Sequence, residues 1–214
     1  MTSTTLHYIH DPLCGWCYGA APLVQAARRL VPVVAHAGGM MVGSSRQKVS
    51  PQLRDYVMPH DRRIAQLSGQ TFGAAYTDEL LRDTSATFDS GPPITATLAA
   101  EQLAGRGLDL LARLQTAHYV EGRRIADAAV LAELAAAIGL EREAFVAAFE
   151  QASGEPTRAH IAASRAFLER VGGQGFPTFV LEREGRFETI DIGPYLGRAD
   201  ALASWLGQLV SQHP

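Results

Sequence analysis

Cys14 and Cys17 are the only two cysteines of the chain, and they stand as Cys14-Gly15-Trp16-Cys17. An apolar run, Leu6-His7-Tyr8-Ile9, precedes them, and a helical pattern over residues 20–30 follows. A Cys-x-x-Cys on a strand-to-helix turn has the spacing of a thiol–disulfide redox site. The placement matters physically. Unpaired backbone N–H groups and the positive end of the helix dipole favour a thiolate at the first cysteine. The second, one turn along, can attack a mixed disulfide formed at the first. Cys14 is therefore the expected catalytic attacker and Cys17 the expected catalytic resolving thiol.

Two other chemistries compete for the same residues. Free cysteines are often buried as small hydrophobes, but chance seldom places two at this spacing on such a boundary. His7, His10, Cys14 and Cys17 also read H-x2-H-x3-C-x2-C, a pattern that could suit zinc. If residues 6–9 form a strand running to His10, however, His7 and His10 point to opposite faces. No second cysteine pair completes a four-thiolate site, so no metal is expected. His10 keeps a subsidiary part, as a group able to tune the thiolate if it lies close.

The elements that must position these residues come from a chain able to build a sizeable core. Its 214 residues are 47% hydrophobic and only 19% charged, which excludes disorder. The net charge is −3, and basic residues occur only in pairs such as Arg28-Arg29, Arg62-Arg63 and Arg123-Arg124. That is no footprint for nucleic acid. No apolar run reaches the ~18 residues of a membrane helix. The first residues lack the cationic and apolar segments of a secretory leader, so a cytoplasmic location is expected. There a Cys-x-x-Cys is more often transient and catalytic than a structural staple.

Residues 6–9 read as a first strand and 31–37 as a second, apolar on both faces as a buried parallel strand should be. With the helix between them they make a βαβ unit. From about residue 50 to 171 helical periodicity replaces strand patterns. Ser50 as cap and Pro51 in the first turn open a helix to residue 67. Helices over 94–103, 108–119, 128–138 behind Asp127, 141–151 and 156–171 follow. A stretch of about 120 residues is too long for a loop and reads as an insertion. Strands return over 176–182 and 187–192 around the turn Arg183-Glu184-Gly185-Arg186, and a helix over 198–210 closes the chain. The expected class is α/β, with a β-α-β … β-β-α layout and a large all-helical insertion. Residues 1–49 and 172–214 form one discontinuous domain, and 50–171 form the inserted one.

Gly175-Phe176-Pro177-Thr178 is the second informative stretch. A proline at the start of a strand removes no ladder bond and can be a simple punctuator. An X–Pro bond in an ordered turn can instead be cis, though only a few per cent are. Position favours the second reading: this proline opens the first strand after the insertion, as the Cys-x-x-Cys opens the first helix. Together, Cys14-Gly15-Trp16-Cys17 and Gly175-Phe176-Pro177-Thr178-Phe179 resemble the two halves of a thioredoxin-like site. The insertion between them resembles that of the DsbA family. Asp11-Pro12-Leu13-Cys14-Gly15-Trp16-Cys17-Tyr18-Gly19 is similar to the FrnE-like branch of that family, the predicted dithiol–disulfide isomerases. Gln115-Thr116-Ala117-His118-Tyr119-Val120-Glu121-Gly122 resembles it as well. The resemblance implies a thioredoxin-like fold, a cis Pro177 facing the disulfide, and a Phe176 backbone that pairs with an extended substrate peptide. Trp16, Phe176, Pro177 and Thr178 are the expected substrate-binding residues, with ordinary packing an equal reading for Trp16.

The expected activity is that of a thiol–disulfide oxidoreductase or isomerase. Its partners would be disulfide- or thiol-containing proteins or small molecules. It needs no metal and no cofactor beyond the redox-active Cys14–Cys17 pair, with glutathione a candidate electron donor. The strongly oxidising periplasmic members carry Pro-His between their cysteines. Gly15-Trp16 supplies no cation there, so a less oxidising disulfide is implied. Kappa-class glutathione transferases and 2-hydroxychromene-2-carboxylate isomerases resemble the same fold and supply the alternative, usually with serine where Cys14 stands. The presence of both cysteines favours protein-thiol redox. No nucleic-acid or membrane partner is expected, and the oligomeric state stays open, a homodimer included.

Overall fold

The computed structural model describes residues 4–211. Strand β1 (Thr4–His10) leads through the Asp11–Cys14 turn into helix α1 (Gly15–Gly19) and then α2 (Ala21–Ala27). The sequence suggested one helix over 20–30; instead there are two, joined at Ala20. Pro22 in the first turn of α2 has no N–H to continue the ladder of α1, so the helix restarts there. Strand β2 (Val33–Ala37) completes the βαβ unit and pairs parallel with β1.

A short strand β3 (Gln47–Lys48) precedes α3 (Pro51–Ser68), which opens as its sequence promised. Ser50 Oγ accepts the Leu53 N–H, and Pro51 occupies the first turn. The insertion is not wholly helical, because β4 (Thr87–Phe88) pairs antiparallel with β3. Two-residue strands carry too little pattern to be read from sequence. Helices α4 (Gly91–Ala104), α5 (Gly107–Tyr119), α6 (Ala128–Ala137), α7 (Arg142–Ala152) and α8 (Glu155–Arg170) follow. The chain returns to the sheet through β5 (Thr178–Arg183) and β6 (Arg186–Ile190), and ends on α9 (Ala199–Ser211). Glu184 and Gly185 both take positive φ, 53° and 74°, as a two-residue hairpin turn requires.

The strand order is β2-β1-β5-β6, with β1–β5 and β5–β6 antiparallel. β2 is therefore an edge strand, and the expectation that it lies buried on both faces is corrected: Val34 is 42% exposed. β1 is central. Its Leu6 and Tyr8 pack with Phe179 and Leu181 under α2 and α9, whereas Ile9 packs on the opposite face with Val180 and Phe167 of α8. Helix α8, read from sequence as the last helix of the insertion, thus covers a face of the sheet. The insertion has its own core, in which Leu110, Leu114, Leu131, Leu134 and Phe145 are essentially solvent-free. Among the described residues no helix is long and apolar enough to cross a membrane.

Candidate active site

The two halves of the sequence pattern meet. Cys14 is the N-cap of α1, with extended φ/ψ of −89° and 113°, and its sulfur accepts the Cys17 N–H at 3.3 Å. A hydrogen bond of this kind is worth most when the acceptor is charged. Its thiol also points at the Phe176 carbonyl oxygen, 3.5 Å away. Cys17 is fully buried and Cys14 is 5% exposed. Burial pushes the Cys17 thiol well above its ordinary range, and the neighbouring Cys14 adds to the shift. Both cysteines are free thiols. The pair is chemically asymmetric: one sulfur has a donor waiting for negative charge, the other is held neutral.

The Phe176–Pro177 bond is cis. The loop before it is held in place by Thr178, whose hydroxyl donates to the Gly175 carbonyl at 2.7 Å, and by the Phe176 ring. That ring lies on Gly38 so closely that a Cβ there would fall 2.1 Å from Cζ. Only glycine allows this approach. Gly38 itself is tied to β1 by its N–H to His10 O, and its carbonyl accepts from Arg165 Nε at 2.7 Å.

Asp11, which the sequence shows only as the first residue of the cysteine motif, anchors more than a turn. Its buried carboxylate accepts from Leu13 N–H (2.9 Å), Ser90 Oγ (2.9 Å) and Met40 N–H (2.6 Å). It ties the cysteine turn, the loop after β2 and the start of α4 together. Desolvation raises its pKa even so. The motif also straddles two cores. Leu13 and Tyr18 pack into the helical insertion, while Cys14 and Cys17 pack with the sheet. Tyr18 stacks on Tyr119, with centroids 4.8 Å apart. The Cys-x-x-Cys is thus the seam of the fold, and nothing in its local pattern advertises that.

Of the other residues singled out from sequence, Trp16 and Phe176 are half-buried and pack against the cluster that holds both cysteines. Thr178 spends its hydroxyl on the loop. His10 makes no hydrogen bond to either thiol among the described residues. It stacks on Tyr8, and the charges that it feels are His160 and His36. His7 hydrogen-bonds His36 (2.9 Å) and Glu182 (2.8 Å) on the other face of the strand. Among the described residues no group of three or more His, Cys, Asp or Glu side chains is disposed to hold a metal.

No family model matches the sequence, and neither does any curated protein. Solved structures do. The cytosolic disulfide reductase DsbM from Pseudomonas aeruginosa is 57% identical, with 97% of this chain and 99% of that one covered and a TM-score of 0.92. A second structure of that reductase, with GSH, superposes with a TM-score of 0.91 at 55% identity over 97% of this chain and 99% of that one. The DsbA disulfide interchange protein from Klebsiella pneumoniae shares the fold, at 18% identity and a TM-score of 0.53 over 97% of this chain and 86% of that one.

Proposed function

The chain belongs to the DsbA family of thioredoxin-like thiol–disulfide oxidoreductases, and we propose that it works there as a cytoplasmic disulfide reductase fed by glutathione. Cys14 is the attacking thiol. As a thiolate it displaces one sulfur of a substrate disulfide, so a Cys14–substrate disulfide forms and the other substrate sulfur leaves as a thiolate. The Cys17 thiol then loses its proton to solvent and attacks Cys14 Sγ. The Cys14–Cys17 disulfide closes, and the second substrate thiolate departs. Both released thiolates take protons from water, and two electrons have passed to the substrate. Two molecules of glutathione return them and leave as glutathione disulfide.

The observation that carries this reading is the asymmetry of the pair: Cys14 Sγ takes the Cys17 N–H, and Cys17 is closed off. Trp16, Phe176 and Pro177 frame the approach to Cys14, and the Phe176 backbone is the edge available to a substrate. Thr178 acts on that edge through the Gly175 carbonyl. The direction, the compartment and the thiol partner draw support from the reductase that is 57% identical, which is cytosolic and was solved with GSH. The neutral Gly15-Trp16 pair between the cysteines agrees with a reducing poise. The decisive assay is reduction of insulin disulfides with glutathione as sole electron source. Turnover should vanish in Cys14→Ser, and Cys17→Ser should accumulate a mixed disulfide. Turnover that survives Cys14→Ser rejects the reading.

A further inference from the structure

A carboxyl group from the helical insertion reaches the dipeptide between the cysteines. Asp61 of α3 is only 6% exposed, and a Cβ on Gly15 would lie 3.1 Å from its Oδ1. The same imaginary Cβ would meet Ile64 Cδ1 at 3.0 Å, so Gly15 is what lets α3 close onto the first turn of α1. Asp61 Oδ2 accepts the Tyr76 hydroxyl at 3.1 Å. Oδ1, the oxygen facing Gly15, has no hydrogen-bond donor among the described residues. The contrast with Asp11 is instructive. Asp11 has donors on both oxygens, whereas Asp61 turns an oxygen without a protein donor among the described residues toward the backbone that joins the two thiols.

We propose that Asp61 sets the redox poise of the Cys14–Cys17 pair: ionised, it opposes a thiolate at Cys14 and so disfavours the dithiol form, and neutral, it does not. The inference rests on reading the pair as the redox site. Its physics is Coulombic: a negative charge close to a partly desolvated thiol disfavours the thiolate, and each pKa unit of such an effect is about tenfold in thiolate population. Around Asp61 lie Tyr76, which donates to it, Gly15 of α1, and Arg62 beside it on α3, while Tyr119 of α5 feels Asp61, Cys14 and Cys17 alike. Burial lifts its pKa to about 6, against the lowering effects of the Tyr76 hydrogen bond and of Arg62. The charge therefore switches on within the pH range where the pair works. It also explains a use for the insertion at the site: the helical domain brings a group that the sheet cannot supply.

The test is the rate of iodoacetamide alkylation at Cys14 in the reduced protein from pH 5 to 9, read by peptide mass mapping. The same protein is equilibrated with glutathione buffers at pH 7. The wild type should show an inflection near pH 6 that Asp61→Asn lacks. Above that pH the variant should react about tenfold faster, and below about pH 5 the two rates should converge. The glutathione equilibrium should move toward the reduced protein in the variant, by at most that factor, because the reduced form gains only as far as Cys14 is ionised at pH 7. Superimposable profiles for the two proteins overturn the proposal. If the Asn variant does not fold, Tyr76→Phe serves instead: loss of its hydroxyl should move the inflection to higher pH, and an unmoved inflection overturns the proposal. A wild type that never exchanges with glutathione would defeat the proposed function, while the alkylation profile would still decide the part played by Asp61.

Discussion

The Cys14 thiol lies 3.5 Å from the carbonyl oxygen of Phe176, a residue 162 positions later in the chain. This contact joins the first helix of the fold to the first strand after the insertion. Cys14 keeps 5% of its surface exposed, whereas Cys17, one helical turn beneath, has none. Brief alkylation of the reduced protein at neutral pH should therefore label Cys14 and spare Cys17, as peptide mass mapping can read directly. Labelling that begins at Cys17 would reverse the assigned roles.

Gly38 should be intolerant of a side chain. A methyl group there would overlap the Phe176 ring, with only 2.1 Å to Cζ, and the ring must swing toward Cys14 or drag the Pro177 loop with it. Gly38→Ala should cost about 1–3 kcal/mol of stability in urea unfolding. It should also lower kcat/KM for disulfide reduction by on the order of tenfold to a hundredfold, because the reacting groups are displaced. Unchanged kcat/KM would mean that the Phe176 loop does not position substrate.

Asp11 should matter to the whole seam. Asp11→Ala strands the Leu13 and Met40 N–H groups and the Ser90 hydroxyl, and an unsatisfied buried donor costs about 1–3 kcal/mol. Ser90→Ala removes one donor and leaves the carboxylate two, so its effect should be the smaller. Urea midpoints that rank the two variants the other way would show that the carboxylate is not the hub.

Acid should destabilise the protein below neutrality. Burial holds His10 and His118 at about 3 and His36 at about 4, against 6.5 for an ordinary imidazole. The folded state keeps these rings neutral, so their contribution is complete above pH 6.5 and is lost as pH falls from 6.5 toward 4. Asp61 works in the opposite sense. Its raised value, about 6, gives stability that is complete below 3.8 and lost as pH rises through 6, so it offsets part of the fall. The sum should be a loss of a few kcal/mol between pH 7 and 4.5. His118 sits among Tyr76, Phe88 and Tyr119, and its Nδ1 has no partner among the described residues. His118→Phe should flatten the decline measured by urea midpoints. A wild-type midpoint independent of pH would contradict this account.

Much of this was legible because it is local. A short apolar run placed β1, the Ser50–Pro51 start placed α3, and the turn Arg183-Glu184-Gly185-Arg186 placed the hairpin within a residue or two. The cysteine pair and Pro177 announced themselves by spacing and order. What stayed hidden is long-range. Asp61 and Gly38 are ordinary in their own segments, and their meaning depends on α3 meeting Gly15 and on Phe176 meeting β2's exit. The misread burial of β2 has the same origin, since an apolar run does not say whether a neighbour exists on both edges. A signal for Gly15 existed, because a glycine between two cysteines asks what approaches it, but nothing in the sequence named the helix that does.

The most direct measurement is the redox equilibrium of the Cys14–Cys17 pair against glutathione buffers, followed by quenching and mass determination of the dithiol and disulfide forms. A glutathione-fed reductase with neutral residues between its cysteines should show a potential of about −200 to −270 mV, the range of glutaredoxins and thioredoxin. A value above about −150 mV, close to the strongest periplasmic oxidant, would contradict the reductase assignment and make the chain a dedicated oxidant.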